Sequence, residues 1–222
     1  MVTHKIQAVI FDMDGVLVDS EPFWQQAELE ILCDHGVPLT LEDTLKTQGL
    51  RIDQVVGYWY QRHPWSGTSP ELVADAILSR VVDLIAQQGE ALPGVDSAIS
   101  LIQQRGWALG LATSSPSRLV EATLSRLGLH SAFTVTCSAE HLRYGKPHPQ
   151  VYLNAADELR VAPEHAMAIE DSFNGLLAAK AARMTTLAVP DPHHREDPRF
   201  VIADHRLDSL RQFTQSWLDT LN

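Results

Sequence analysis

Lys5-Ile-Gln-Ala-Val-Ile-Phe-Asp12-Met13-Asp14-Gly15-Val16 decides how the rest of this 222-residue chain is read. Lys5–Phe11 has the β-branched and aromatic content of a buried strand, and acidic residues begin abruptly at Asp12. Gly15 then lets the chain turn sharply at the strand's carboxyl end. Two carboxylates set so close repel each other unless a cation lies between them. By composition, Asp-x-Asp-Gly arises by chance in roughly one chain in twenty of this length. Alone, therefore, it is only suggestive. A solvated turn with an aspartate helix cap is the plain alternative, and Asp19-Ser20 is the better cap.

Outward from this stretch, apolar runs alternate with amphipathic ones. Trp107–Ala112, Phe133–Cys137, Ala166–Ile169 and Thr185–Val189 read as further buried strands. Val95–Arg105, Ser117–Leu127, Pro149–Leu159 and Phe173–Ala182 read as the helices between them. Strands and helices in that order predict an α/β fold with a parallel sheet, whose ligands gather at the strands' carboxyl ends. From about Ser20 to Gln88 no strand pattern is found, and the spacing is helical over Gln25–His35, Val55–Arg62 and Pro70–Gln87. That predicts a helical insertion over the first strand's carboxyl end, closed by turn residues in Gly89–Gly94. The domains expected are residues 1–18 with 90–222, and 19–89. The tail Leu207–Leu221 reads as one closing helix.

The composition, 45% hydrophobic with a net charge of −11, suits a real core and an acidic surface. Nucleic acid and anionic membrane surfaces are repelled by such a chain, so neither is an expected partner. The start has no apolar signal-peptide run, and no stretch approaches the roughly 18 apolar residues of a membrane span. Cys33 and Cys137, the only cysteines, read as two buried thiols in a reducing compartment. A cytoplasmic location follows as the expectation.

Three later stretches carry the same kind of signal. Leu111-Ala112-Thr113-Ser114-Ser115 offers a hydroxyl and free N–H groups where a helix opens, an anion cradle or an ordinary cap before Pro116. Gly145-Lys146-Pro147-His148-Pro149 holds a lysine in a stiff turn, suited to a phosphoryl oxygen or simply a surface lysine. Glu170-Asp171 ends the fourth strand before a helix, as a metal site or as caps with Ser172. In a parallel sheet all four stretches converge on one edge. Carboxylates, a hydroxyl and one lysine together are an inventory for Mg²⁺ and a transferring phosphoryl group.

From Phe11 to about Val189 the chain resembles the haloacid dehalogenase superfamily of phosphatases. Asp12-x-Asp14-Gly15-Val16, Thr113, the Lys146 turn and Glu170-Asp171 match its four signatures in order and spacing, and residues 19–89 resemble its small helical cap. The likeness is to the sugar-phosphate branch near β-phosphoglucomutase, most of all to 2-deoxyglucose-6-phosphate and hexitol-phosphate phosphatases. It implies a Rossmann-like core and hydrolysis of hexose, 2-deoxyhexose or hexitol phosphates through an aspartyl-phosphate. It implies Asp12 as nucleophile and Asp14 as general acid/base. Asp12, Asp14 through its carbonyl, Asp171 and, directly or through water, Glu170 would hold Mg²⁺, with Mn²⁺ or Co²⁺ as substitutes. Asp12, Met13, Asp14, Thr113, Ser114 and Lys146 would bind the phosphoryl group, with Arg51 a further candidate in the cap. A monomer is adequate for such chemistry.

The pattern also departs from the mutases. Trp24 stands near their cap histidine, and Arg51, in Gly49-Leu50-Arg51-Ile52, is offset by one from their phosphate-gripping arginine. Both points favour hydrolysis, with a sugar phosphomutase as the alternative. Arg183 stands where relatives often have glycine, so it carries a left-handed backbone or the helix ends differently. A phospho-acceptor receiver domain, the reading from another class, is much shorter and places its lysine after the acidic pair. A Ca²⁺ loop lacks its acid at Phe23. Trp24 is a candidate pocket wall, Tyr58, Trp59 and Tyr60 read mainly as cap core, and His193-His194 as a solvated turn.

Overall fold

The computed structural model describes residues 5–47, 50–191 and 194–221. Gly49 and His193 lie outside them. Six strands form one sheet, in the order β3-β2-β1-β4-β5-β6, and every pairing is parallel. They are β1 Ala8–Phe11, β2 Ala108–Thr113, β3 Val135–Ser138, β4 Ala166–Glu170, β5 Thr185–Ala188 and β6 His205–Arg206. The order reverses between β1 and β4, so a crevice opens beyond their carboxyl ends.

Alternation along β1 divides the core. Val9 and Phe11 face a cluster of large side chains that includes Leu109, Leu111, Met167, Ile169 and Leu187. Ala8 and Ile10 face the other way, with Ala112, Ala155, Ala156, Ala166, Ala168, Ala178 and Ala179. The alanines leave room for α7 (Gln150–Leu159) and α8 (Phe173–Ala181) to sit close to the sheet. Both faces of β1 are buried, which is why its sequence reads as a continuous apolar run.

Between β1 and β2 come α1 (Glu21–Asp34), α2 (Leu41–Thr44), α3 (Ile52–Arg62), α4 (Pro70–Gln88) and α5 (Val95–Gln104). α1 and α3 both pack on α4. The chain enters and leaves this helical segment at one place: Val18 bridges Ala91, and the Leu92 N–H donates to the Leu17 carbonyl at 2.9 Å. α6 (Ser117–Leu127) packs against α4 from the core side. There Arg118 donates to both the Asp75 carboxylate and its carbonyl.

Several expectations need correction. β1 begins at Ala8, although Gln7 still pairs with His165 and Ala108. α1 starts four residues earlier than its apolar spacing suggests, because Pro22 suits the first turn. The tail is not one helix. Ser209 and Thr214 each turn a side-chain oxygen onto a nearby N–H. These caps open two separate short turns, Leu210–Gln212 and α9 (Gln215–Leu218), before a last turn at Asp219–Leu221. β6 went unforeseen for a simple reason: two residues are too few for a periodic signal. Cys137 is buried as expected, but Cys33 is exposed; neither is in a disulfide. Arg183 does take the left-handed backbone, at φ 66°, as the Met184 N–H closes α8 onto Ala179. Tyr58 and Tyr60 are half-buried and Trp59 buried, all packed in the helical segment's core, while His194 is exposed.

Candidate active site

Parallel register brings the quoted stretches to one edge. Phe11 is level with Leu111 and Ile169, and Thr113 with Ser138. Asp12 follows immediately, its N–H donating to the Ile169 carbonyl at 2.9 Å. The turn beyond is made by Gly15 at φ 72°, where a Cβ would overlap the Asp171 carboxylate. Only glycine allows that approach.

Lys146 lies at the centre. Its ammonium donates to Asp12 Oδ1 at 2.8 Å, Glu170 Oε1 at 2.6 Å, the Ala112 carbonyl at 2.9 Å and the Tyr152 hydroxyl at 3.3 Å. Tyr152 in turn donates to Glu170 Oε1 at 2.5 Å, and the Ser172 hydroxyl donates to Oε2 at 3.1 Å. Glu170 is fully enclosed. A Cβ on Gly175 would occupy the space of its carboxylate. Gly175→Ala is therefore expected to unseat Glu170 and lower stability by about 2–4 kcal/mol. A thermal melt checks this, and an unchanged midpoint would remove the packing argument.

Asp14 is held on both oxygens, by the Ser20 hydroxyl at 2.5 Å and the Ser115 hydroxyl at 2.6 Å. Thr113 is farther, 3.5 Å from Asp14 Oδ2, and its oxygen accepts the Ser115 N–H at 3.0 Å. Ser20 heads α1 without capping it, and its side chain serves Asp14 instead. The Met13 and Ser114 N–H groups donate no hydrogen bond to any described residue. Arg51, at the head of α3, binds Asp53 through two nitrogens and the Leu142 carbonyl at 3.2 Å through a third. It thus ties the helical segment to the loop that carries Lys146. Trp24 is half-buried against the main core.

Asp12, Glu170 and Asp171 each bring an oxygen within 4.8 Å of the others. Burial, and then the Glu170 charge, push the Asp12 carboxyl up to about 7 against the pull of Lys146. Asp171 is driven well above the usual range for the same reasons. Burial alone would lower the Lys146 pKa, but Asp12 and Glu170 outweigh it and hold the ammonium above its ordinary value. Acidic side chains here outnumber the one ammonium, and Asp171 accepts no hydrogen bond from any described residue. A hard divalent cation fits such an all-oxygen set.

Ser20, Ser115, Tyr152 and Gly175 were not singled out as site residues from sequence. Ser20 and Ser115 sit inside stretches already quoted, so their polar type was the available signal. Tyr152 reaches the site only through the packing of α7.

The sequence matches the family described as haloacid dehalogenase-like hydrolase over residues 6–183. Hexitol phosphatase B of Escherichia coli (strain K12) is 46% identical over 212 residues, covering 95% of this chain and 96% of that protein. Fructose-1-phosphate phosphatase YqaB of the same strain is 32% identical over 189 residues, covering 84% and 97%. CbbY from Rhodobacter sphaeroides, solved in complex with phosphate, superposes with a TM-score of 0.85 at 30% identity, over 96% of this chain and 99% of that one. β-Phosphoglucomutase from Clostridium difficile shares the fold, with a TM-score of 0.83 at 23% identity over 97% and 96%. No helix among the described residues is long and apolar enough to cross a membrane. By its signatures, its sheet and its relatives alike, the chain belongs to the haloacid dehalogenase-like hydrolases and is a phosphatase, a phosphoric monoester hydrolase.

Proposed function

We propose that the protein hydrolyses small sugar phosphates, with hexitol, hexose or 2-deoxyhexose phosphates as its class, through a phosphoryl group carried on Asp12. The observation that carries this reading is the placement of Asp12, with Lys146 at 2.8 Å, beside Asp14 and the free Met13 and Ser114 N–H groups. Similarity to hexitol phosphatase B and to fructose-1-phosphate phosphatase YqaB supports the substrate class.

A carboxylate oxygen of Asp12 attacks phosphorus, and the ester P–O bond breaks. Asp14 gives its proton to the departing sugar oxygen, then takes one from the water that attacks the aspartyl-phosphate. That second displacement releases inorganic phosphate and restores Asp12. A serine hydroxyl accepts as readily as it donates, so Ser20 and Ser115 hold Asp14 in either protonation state. Lys146, Thr113 and the Met13 and Ser114 N–H groups meet the phosphoryl oxygens, where charge concentrates in the transition state.

Asp12, Asp171 and the Asp14 main-chain carbonyl would hold Mg²⁺, or Mn²⁺ or Co²⁺ in its place. The ion supplies positive charge against the phosphoryl oxygens. Both Glu170 oxygens already have protein donors, so we assign that residue to positioning Lys146. Residues 19–89 act as a lid over a core of 1–18 and 90–222, with Arg51 closing it onto the Lys146 loop and Trp24 as a wall. We take the enzyme to be a cytoplasmic monomer, with no nucleic-acid or membrane partner.

The test is phosphate release from a panel of hexose, 2-deoxyhexose and hexitol phosphates with Mg²⁺, beside an EDTA blank. Release that EDTA abolishes is the expected result. Interconversion of sugar 1- and 6-phosphates without release would establish the mutase instead. No turnover across the panel would overturn the substrate class.

A further inference from the structure

The helical segment buries a carboxylate that the reaction above does not use. Glu28 lies mid-way along α1, 6% exposed, and neither oxygen makes a hydrogen bond to any described residue; Oε2 is wholly enclosed. An acid in that situation costs stability unless something arrives to satisfy it. Burial, and then the Glu21 charge, push its carboxyl up to about 8.

Its place on the helix says where that something comes from. Glu21, Gln25 and Glu28 follow one another at the spacing of a single helical face, and Gln25 donates to Glu21 at 3.1 Å. Glu21 directly follows Ser20, which heads α1 and whose hydroxyl donates to Asp14 at 2.5 Å. The face therefore starts beside the reacting groups and leads away from them. Glu28 lies seven residues farther on, about 10 Å along the axis. A substrate whose phosphate sits at Asp12 and which runs along this face meets Glu28 only with the end farthest from the phosphate. The opposite side of α1 is committed to α4, where Glu30 pairs with Arg80 at 2.6 Å.

A buried carboxyl group without a partner calls for a ligand group that can donate to it or accept from it. A hydroxyl does both. An apolar group would leave Glu28 unsatisfied.

We propose that Glu28 is the specificity-determining residue of this phosphatase. It accepts hydrogen bonds from the hydroxyls of the substrate's end farthest from the phosphate, and so selects polyhydroxylated phosphate esters long enough to reach it. This rests on the hydrolase reading above and names the feature of the substrate that is recognised. Short phosphate esters, such as glycerol phosphate, end before Glu28 and gain nothing from it.

The experiment measures binding, so that it is separate from turnover. Asp12→Asn protein with Mg²⁺ is titrated in a calorimeter with glucitol 6-phosphate and with inorganic phosphate. The same pair is measured in the Glu28→Leu and Glu28→Gln variants of that protein. The quantity read is the ratio of the two affinities. Glu28→Leu is expected to lower that ratio at least tenfold, while Glu28→Gln, nearly isosteric and still an acceptor, keeps most of it. A ratio that Leu leaves unchanged, or one that Gln lowers as far as Leu does, overturns the proposal. Should Leu prevent folding, the Gln variant against the parent still decides, since a ratio lost there removes the acceptor argument. A parent protein that binds glucitol 6-phosphate selectively, when the native chain releases no phosphate, would sink the hydrolase reading and leave this one standing.

Discussion

Asp12→Asn abolishes phosphate release, by about 10⁴-fold or more, while leaving a folded protein. An amide oxygen cannot form the aspartyl-phosphate, and no other carboxylate takes over: Asp14 is held by two serines and Glu170 by Lys146, Tyr152 and Ser172. Residual turnover within tenfold of the parent would place the nucleophile elsewhere. The same variant has a signature in stability. Burial and Glu170 raise the Asp12 carboxyl from 3.8 to about 7 in the fold. In metal-free buffer the folded protein thus holds more protons than the unfolded chain between those values. Its stability then falls as pH rises through that window. Asparagine has no such group, so the variant's advantage in melting temperature grows from about pH 4 to 7 and then levels off. At most about 4 kcal/mol is involved. A gap that is constant with pH would show that Asp12 is not under this pressure.

Lys146→Met damages both folding and catalysis. The ammonium is 2.8 Å from Asp12 and 2.6 Å from Glu170, and its side chain is 6% exposed. Methionine fills the space but leaves two buried carboxylates facing each other. Breaking one side of a buried ionic arrangement costs about 3–5 kcal/mol. Turnover falls by about 10²–10³-fold because a fixed positive charge no longer meets the phosphoryl oxygens. Thermal melts and phosphate release on the same preparation check both halves. A variant as stable as the parent would mean that the Lys146 charge is not what holds Asp12 and Glu170 together.

Much of this was legible in the chain because strand ends and polar residues coincide. β1, β2 and β4 are buried on both faces, so their apolar runs stop where the sheet stops, and Asp12, Thr113 and Glu170 mark those points. What escaped reading depends on packing between distant elements. Tyr152 meets Glu170 only because alanines let α7 approach the sheet. Glu28 did leave a trace: an acid among Trp24, Ala27, Ile31 and Leu32 interrupts an apolar stripe, a pattern easily passed over as tolerance. The tail misled because Ser209 and Thr214, unremarkable in a polar stretch, divert the backbone through their own side chains.

The contact of Val18 with Ala91 and of Leu17 with Leu92 also bears on how such proteins diversify. Seventy-odd residues depart and return across a single hydrogen-bonded pair, as a branch leaves a trunk. The sheet's register is set by strands on either side of that junction and is indifferent to what hangs from it. Insertions are tolerated best where the two ends already meet. On the function proposed above, the helices over the site can thus be regrafted while Asp12, Lys146 and Asp171 stay in place, so appetite and chemistry are free to evolve on separate clocks.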